Sequence, residues 1–219
     1  MTEAENVIEK TKSFVKQALI KAEPGHDWWH AYRVHNLSLY IARKEKYGHI
    51  VPIQLAALLH DIADSKFYQG VEEIGPEIAS DFLKRISVRD EIISQVVFVI
   101  EKISFRKGAN VQVERNKILD IVQDADRLDA IGAIGIARAF SYGGHKSRPM
   151  YDPCIPPKME MTGVEYKINQ APTLNHFYEK LFKLKSLMNT QTGKELAEER
   201  HLFMERFVSQ FYWEWNIGE

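Results

Sequence analysis

His60 and Asp61 are neighbours at the end of an apolar run, Leu55-Ala56-Ala57-Leu58-Leu59, with Asp64 and Lys66 just beyond. Ionisable groups are costly to remove from water unless they are paired or bind a metal. A His-Asp pair closing a buried-looking helix therefore asks for a partner. On a continued helix Ala57, Asp61 and Asp64 share one face at i, i+4 and i+7. The two carboxylates repel there unless a cation lies between them or one holds a proton. The ordinary alternative is a helix end fraying into solvent, with both as surface acids. His30 opens a second stripe, His30, Val34, Leu37 and Ile41, and so points inward; its ordinary alternative is a hydrogen-bonded core histidine. Asp126 shares a face with Val122 and Asp129, while Asp124 and Asp129 read as solvated acids. His30, His60, Asp61 and Asp126 thus bring two imidazoles and two carboxylates from three helices. That donor set suits Mn, Fe, Co, Ni or Zn better than Ca or Mg. Four protein ligands on a six-coordinate ion leave two places for water and substrate.

The elements that must carry these groups read as helices. Residues 3 to 22 form an amphipathic helix that Glu23-Pro24-Gly25 stops. A second runs from near Asp27 to Lys46, and a third, with Pro52 in its first turn, carries His60-Asp61. A fourth covers about 76 to 86. Ser87-Val88-Arg89-Asp90 resembles a capping box for the fifth, which holds Ile92 to Ile103. Gly108-Ala109-Asn110 marks a loop before a helix from about Glu114 to Ala130, and the small apolar run from Ala130 to Tyr142 suits close packing. From 143 to 172 glycines and prolines forbid a long helix, leaving a flap-like connection that carries His145, Lys146 and Arg148. Two further helices follow, about 173 to 189 and 192 to 215, the second opened by the capping box Thr192-Gly193-Lys194-Glu195. Trp213 and Trp215 are expected to pack on the core or on a partner chain. There is no sustained alternation, internal repeat or linker, so the expectation is one all-α domain over residues 1–219.

Composition narrows the function. The chain has 219 residues, 45% hydrophobic and 11% aromatic, which suits a folded globular protein. Its 29 Lys+Arg balance 30 Asp+Glu for a net charge of -1, which argues against a nucleic-acid polymer or a membrane surface held by bulk charge. The single cysteine, Cys154, cannot close an internal disulfide, and no apolar run approaches a bilayer's span. A cytoplasmic monomer or homodimer is the expectation.

His30-Ala31-Tyr32-Arg33-Val34, then Leu58-Leu59-His60-Asp61-Ile62-Ala63-Asp64, then Ala125-Asp126-Arg127-Leu128 resembles the H…HD…D pattern of the HD-domain superfamily of metal-dependent phosphohydrolases. The resemblance covers residues from about 24 to 142. Gly25-His26-Asp27-Trp28-Trp29-His30 and Val122 to Leu128 look like a small bacterial branch in which some members have nucleotide pyrophosphohydrolase activity. It implies an HD-type helical bundle, with His30, His60, Asp61 and Asp126 as ligands of one divalent transition metal ion. Two-metal relatives carry extra histidines between the HD pair and the last aspartate. This chain has none between Asp61 and Asp126. The residue matching Asp64 assists proton transfer in HD nucleotidases; its alternative role is to orient a ligand. Lys66 and Arg33 are the expected phosphate contacts, each also readable as a surface charge. His26 and Asp27 are expected to line the mouth, and His145 and Arg148 to reach substrate from the flap. The implied activity is hydrolysis of a small phosphorylated metabolite, a nucleotide and foremost a (deoxy)nucleoside triphosphate. The alternatives are a metal-retaining nucleotide-binding regulatory module without turnover, and a structural helical protein in which the four residues form a polar network.

Overall fold

In the computed structural model the described residues are 2–20, 22, 25–62, 74–103, 114–162, 165 and 169–217. They form α-helices, one 3-10 helix and no strand. Seven helices come first: α1 (Glu3–Ala18), α2 (Trp28–Lys44), α3 (Ile50–Leu59), α4 (Ile74–Arg85), α5 (Asp90–Lys102), α6 (Lys117–Asp129) and α7 (Gly132–His145). After a long connection come α8 (Asn175–Glu179), the 3-10 helix Leu181–Leu187 and α9 (Gln191–Trp215). The chain divides into two compact units, Met1–Asp126 and Arg127–Glu219.

The first unit is organised around α3. Pro52, Ile53 and every residue from Leu55 to Leu59 are buried, so this helix is apolar on all sides. It is wrapped by α1, α2 and α5, and α5 in turn packs on α4. Val15, Val34, Ile41, Ile53, Leu58, Leu83, Val96 and Leu119 have no exposed surface. Each such side chain contributes about 1.5–3 kcal/mol of burial. The inward stripe of α2 differs by one position from expectation, because Ser38 is buried and Leu37 is half-exposed.

Helix ends account for most differences in boundary. Asp27 caps α2 by accepting from the His30 backbone N–H at 2.9 Å. At the other end Lys46 adopts φ 55°, Lys46 N–H donates to Arg43 O, and Tyr47 N–H donates to Ala42 O, a Schellman closure. Ser87, with φ 65°, closes α4 the same way through Ser87 N–H to Lys84 O and Val88 N–H to Leu83 O. Ser87 is thus a C-terminal device of α4 and not the opening of a capping box. The N-cap of α5 is Arg89, without a side-chain hydrogen bond. The cap of α9 likewise lies two residues before the expected one: Thr190 accepts from Gly193 N–H at 2.9 Å, and Thr192 lies inside the helix.

In the second unit α7 runs through Gly143 and Gly144, where a break was expected. Thr173 Oγ1 sits 2.0 Å from where a Gly143 Cβ would stand, so this glycine serves close approach and not a turn. Residues 173–189 are not one helix either. Leu181 and Leu184, three residues apart, are the buried residues of the 3-10 helix. The described part of the connection after α7 is tied down. Thr173 N–H donates to Pro149 O, Asn175 Nδ2 to Ile155 O, and Glu179 accepts from Lys158 N–H and Asn169 Nδ2. Phe140, Phe177, Phe207 and Phe211 form an aromatic column. Trp215 stacks on Phe211 and meets Tyr151 edge-on, yet it and Trp213 are both exposed, so neither is packed into the core as expected. Among the described residues no helix is long and apolar enough to cross a membrane.

Candidate metal centre

α3 stops at Leu59, so His60 is its C-terminal cap and Asp61 lies in the turn beyond, not on a continued helix. The last carbonyls of a helix lack backbone donors, and one of them is used here: His60 Nδ1 lies 2.9 Å from Ala57 O. A carbonyl only accepts, so His60 Nδ1 carries a proton, and Nε2 is the nitrogen that faces the cluster. That nitrogen lies 3.2 Å from His30 Nε2, 3.9 Å from Asp61 Oδ2 and 3.8 Å from Asp126 Oδ1. His30 Nε2 lies 3.6 Å from Asp61 Oδ2 and 3.4 Å from Asp126 Oδ1. His30 comes from the first turn of α2 and Asp126 from α6, so three helices and one turn contribute to the cluster.

The electrostatics follow from that geometry. Burial raises the pKa of Asp61, but the imidazoles of His60, His26 and His30 outweigh it and hold the carboxyl well below its ordinary value. Burial acts the same way on Asp126. The hydrogen bond from His30 and the charges of His60 and His30 prevail, against a smaller opposing push from Asp61, and bring it down to about 2. Both carboxylates are ionised at neutral pH.

The donor set fits a divalent ion. Ligand atoms about 2.1 Å from one ion lie roughly 3 Å apart when adjacent and about 4 Å apart when opposite. The observed separations, 3.2 to 3.9 Å, fall in that interval. Two overlapping groups have donor atoms within 4.8 Å of one another and could hold a metal: His30, His60 and Asp126, and His26, His30 and Asp61.

His26 was expected only at the mouth of the site. Its Nδ1 lies 2.6 Å from Asp61 Oδ2, and its ring meets His30 edge-on at 5.9 Å. The i, i+4 spacing of His26 and His30 was the available signal, but His26 precedes the helix, so helical spacing did not apply to it. Asp27, also expected at the mouth, is engaged as the cap of α2. Arg33 is half-exposed on α2. Asp64 and Lys66 lie outside the described residues, as do Glu23, Pro24 and residues 104–113, which include the expected loop at Gly108. His145 and Arg148 belong to the second unit, where His145 is exposed and Arg148 donates to Asn169 O and lies over the Tyr142 ring. Asp124 and Asp129 are not solvated acids. Both are buried, and Asp129 accepts from Arg138 Nη1 at 2.6 Å.

An all-helical core with a His, a His-Asp pair and a distant Asp converging at one point is the arrangement of the HD fold, and the comparisons agree. The HD domain family model matches residues 28–131. YpgQ of Bacillus subtilis is 39% identical over 203 residues, 92% of this chain and 90% of that protein. Its crystal structure in complex with ADP matches with a TM-score of 0.77, covering 99% of this chain and 98% of that one. An HD-superfamily hydrolase from Bacillus thuringiensis is 45% identical with a TM-score of 0.76, over 99% of this chain and all of that one (100%). A protein from Lactobacillus plantarum is 37% identical with a TM-score of 0.81, over 96% and 97% of the two chains. The chain belongs to the HD-domain phosphohydrolase superfamily and has its hydrolase fold.

Proposed function

We propose that this protein is a metal-dependent phosphohydrolase acting on nucleoside phosphates, foremost triphosphates. His30, His60, Asp61 and Asp126 hold one divalent transition metal ion. The observation that carries the proposal is that the Nε2 atoms of His30 and His60 lie 3.2 Å apart and each lies 3.4 to 3.9 Å from a carboxylate oxygen of Asp61 and of Asp126. The presence of ADP in the YpgQ structure supports a nucleotide as the ligand class. The near-neutral net charge of -1 supports a small polyanion over a polymer.

A bound ion of this kind lowers the pKa of a water and polarises a phosphoryl oxygen. The chain's own residues do the rest. Ala57 O fixes the tautomer and ring plane of His60, which is the outer-sphere role of a carbonyl toward a ligating imidazole. Asp61 and Asp126 supply negative charge that balances the ion. Asp64 moves a proton to or from the reacting oxygens, while Lys66 and Arg33 contact phosphate.

The test is a screen of nucleoside mono-, di- and triphosphates with Mn, Co, Ni, Fe or Zn, alongside two variants. Wild type should carry about one ion per chain and release phosphate or pyrophosphate. His60→Ala should lose the ion, since breaking a ligand set costs metal affinity and leaves buried charge unpaired. Asp64→Asn should keep the ion and lose kcat and kcat/KM together, the signature of a group that acts in the transition state. Full metal content in His60→Ala, or no cleavage of any nucleotide by the metal-loaded wild type, contradicts the proposal.

A further inference from the structure

His26 lies outside the donor set of the proposed metal centre, yet it makes the shortest contact in the cluster, 2.6 Å from Nδ1 to Asp61 Oδ2. Asp61 follows the end of α3 in a turn and not on the helix itself. An ordered carboxylate in such a place needs an outside partner, because its side-chain freedom would otherwise be lost only on metal binding. An ionised carboxylate only accepts, so the shared proton resides on His26 Nδ1.

The backbone that delivers His26 is built for one placement. Gly25 has φ 97°, a left-handed conformation that a side chain disfavours, and it turns the chain directly into His26. One residue later Asp27 caps α2 on the His30 N–H. The ring of His26 is thereby set against His30, edge to face at 5.9 Å and 76°. Two imidazoles from one short segment thus bracket Asp61 Oδ2, His26 at 2.6 Å and His30 at 3.6 Å.

We propose that His26 is a positioning residue that fixes the Asp61 carboxylate for metal binding by donating Nδ1–H to Oδ2. The inference rests on the reading of Asp61 as a metal ligand. Outer-sphere partners of this kind are worth about 10- to 100-fold in metal affinity.

Chelator-stripped protein is titrated with Mn(II), and the dissociation constant is read by calorimetry, for wild type, His26→Ala, His26→Phe and His26→Asn. His26→Phe keeps a ring against His30 without a donor. His26→Asn places an amide N–H near the position of Nδ1. Circular dichroism and Tm of the stripped forms establish that each is folded. The expected result is a Kd weaker by about 10- to 100-fold in His26→Ala and His26→Phe, with most of the loss restored in His26→Asn. Unchanged affinity in His26→Ala and His26→Phe overturns the proposal. So does an Asn variant as weak as Ala, because that pattern makes His26 a direct ligand. If wild type itself takes up no Mn(II), the metal reading of the site has failed before the role of His26 comes into question, and the two failures are told apart.

Discussion

His176 is half-buried in the second unit, and desolvation, aided by the positive charges of Lys180 and Arg148, pushes its pKa down to about 3. The folded state therefore keeps this imidazole neutral, whereas the unfolded chain protonates it below about 6.5. Between those values the unfolded state binds more protons, so stability is lost as pH falls from about 6.5 towards 3. Metal-stripped His176→Gln should show a shallower fall in Tm from pH 7 to pH 4 than stripped wild type; parallel profiles would show that the group does not govern acid stability. At the same scale, His30, His60, Asp61 and Asp126 were legible because each broke an apolar pattern, and polar atoms in apolar surroundings need partners. Asp129 broke a pattern too, but its partner, Arg138, lies on the next helix, and a single-helix reading treated the acid as solvated. His26 was legible as a residue near the site but not as a partner of Asp61, since that pairing is 35 positions long and depends on a turn no periodicity describes.

The helices themselves were read by period and largely recovered, while their ends were not. The usual stop signal, glycine after the last turn, is missing where α2, α4 and α7 end: Lys46, Ser87 and Ser147 occupy that left-handed position instead. Starts were more legible where a side chain does the capping, as at Asp27. Replacing Asp27 by Ala should cost about 1 kcal/mol of stability. It should also weaken Mn(II) binding, because the same cap fixes the backbone between His26 and His30. Thr190→Ala, which removes the cap of α9, should cost a similar amount of stability and leave Mn(II) affinity intact. Melting curves and metal titrations on the two variants check this, and equal affinities would detach the α2 cap from the site.

Over the whole molecule the all-helical character and family were legible from sustained helical periodicity and the order of the H…HD…D residues. The division into two compact units was not, as composition does not change at Asp126. A ligand that binds only the folded state stabilises it by mass action, about 2.7 kcal/mol at a hundredfold excess over Kd. For a chain of this size that is a rise in Tm of roughly 5–10 °C. Calorimetry of stripped protein at increasing Mn(II) should show it, and a Tm indifferent to the ion would count against a built metal site. The donors also have an order in time. His26, His30, His60, Asp61 and Asp126 all belong to the first unit, which ends at Asp126. On a ribosome every proposed ligand is therefore synthesised before the first residue of the second unit.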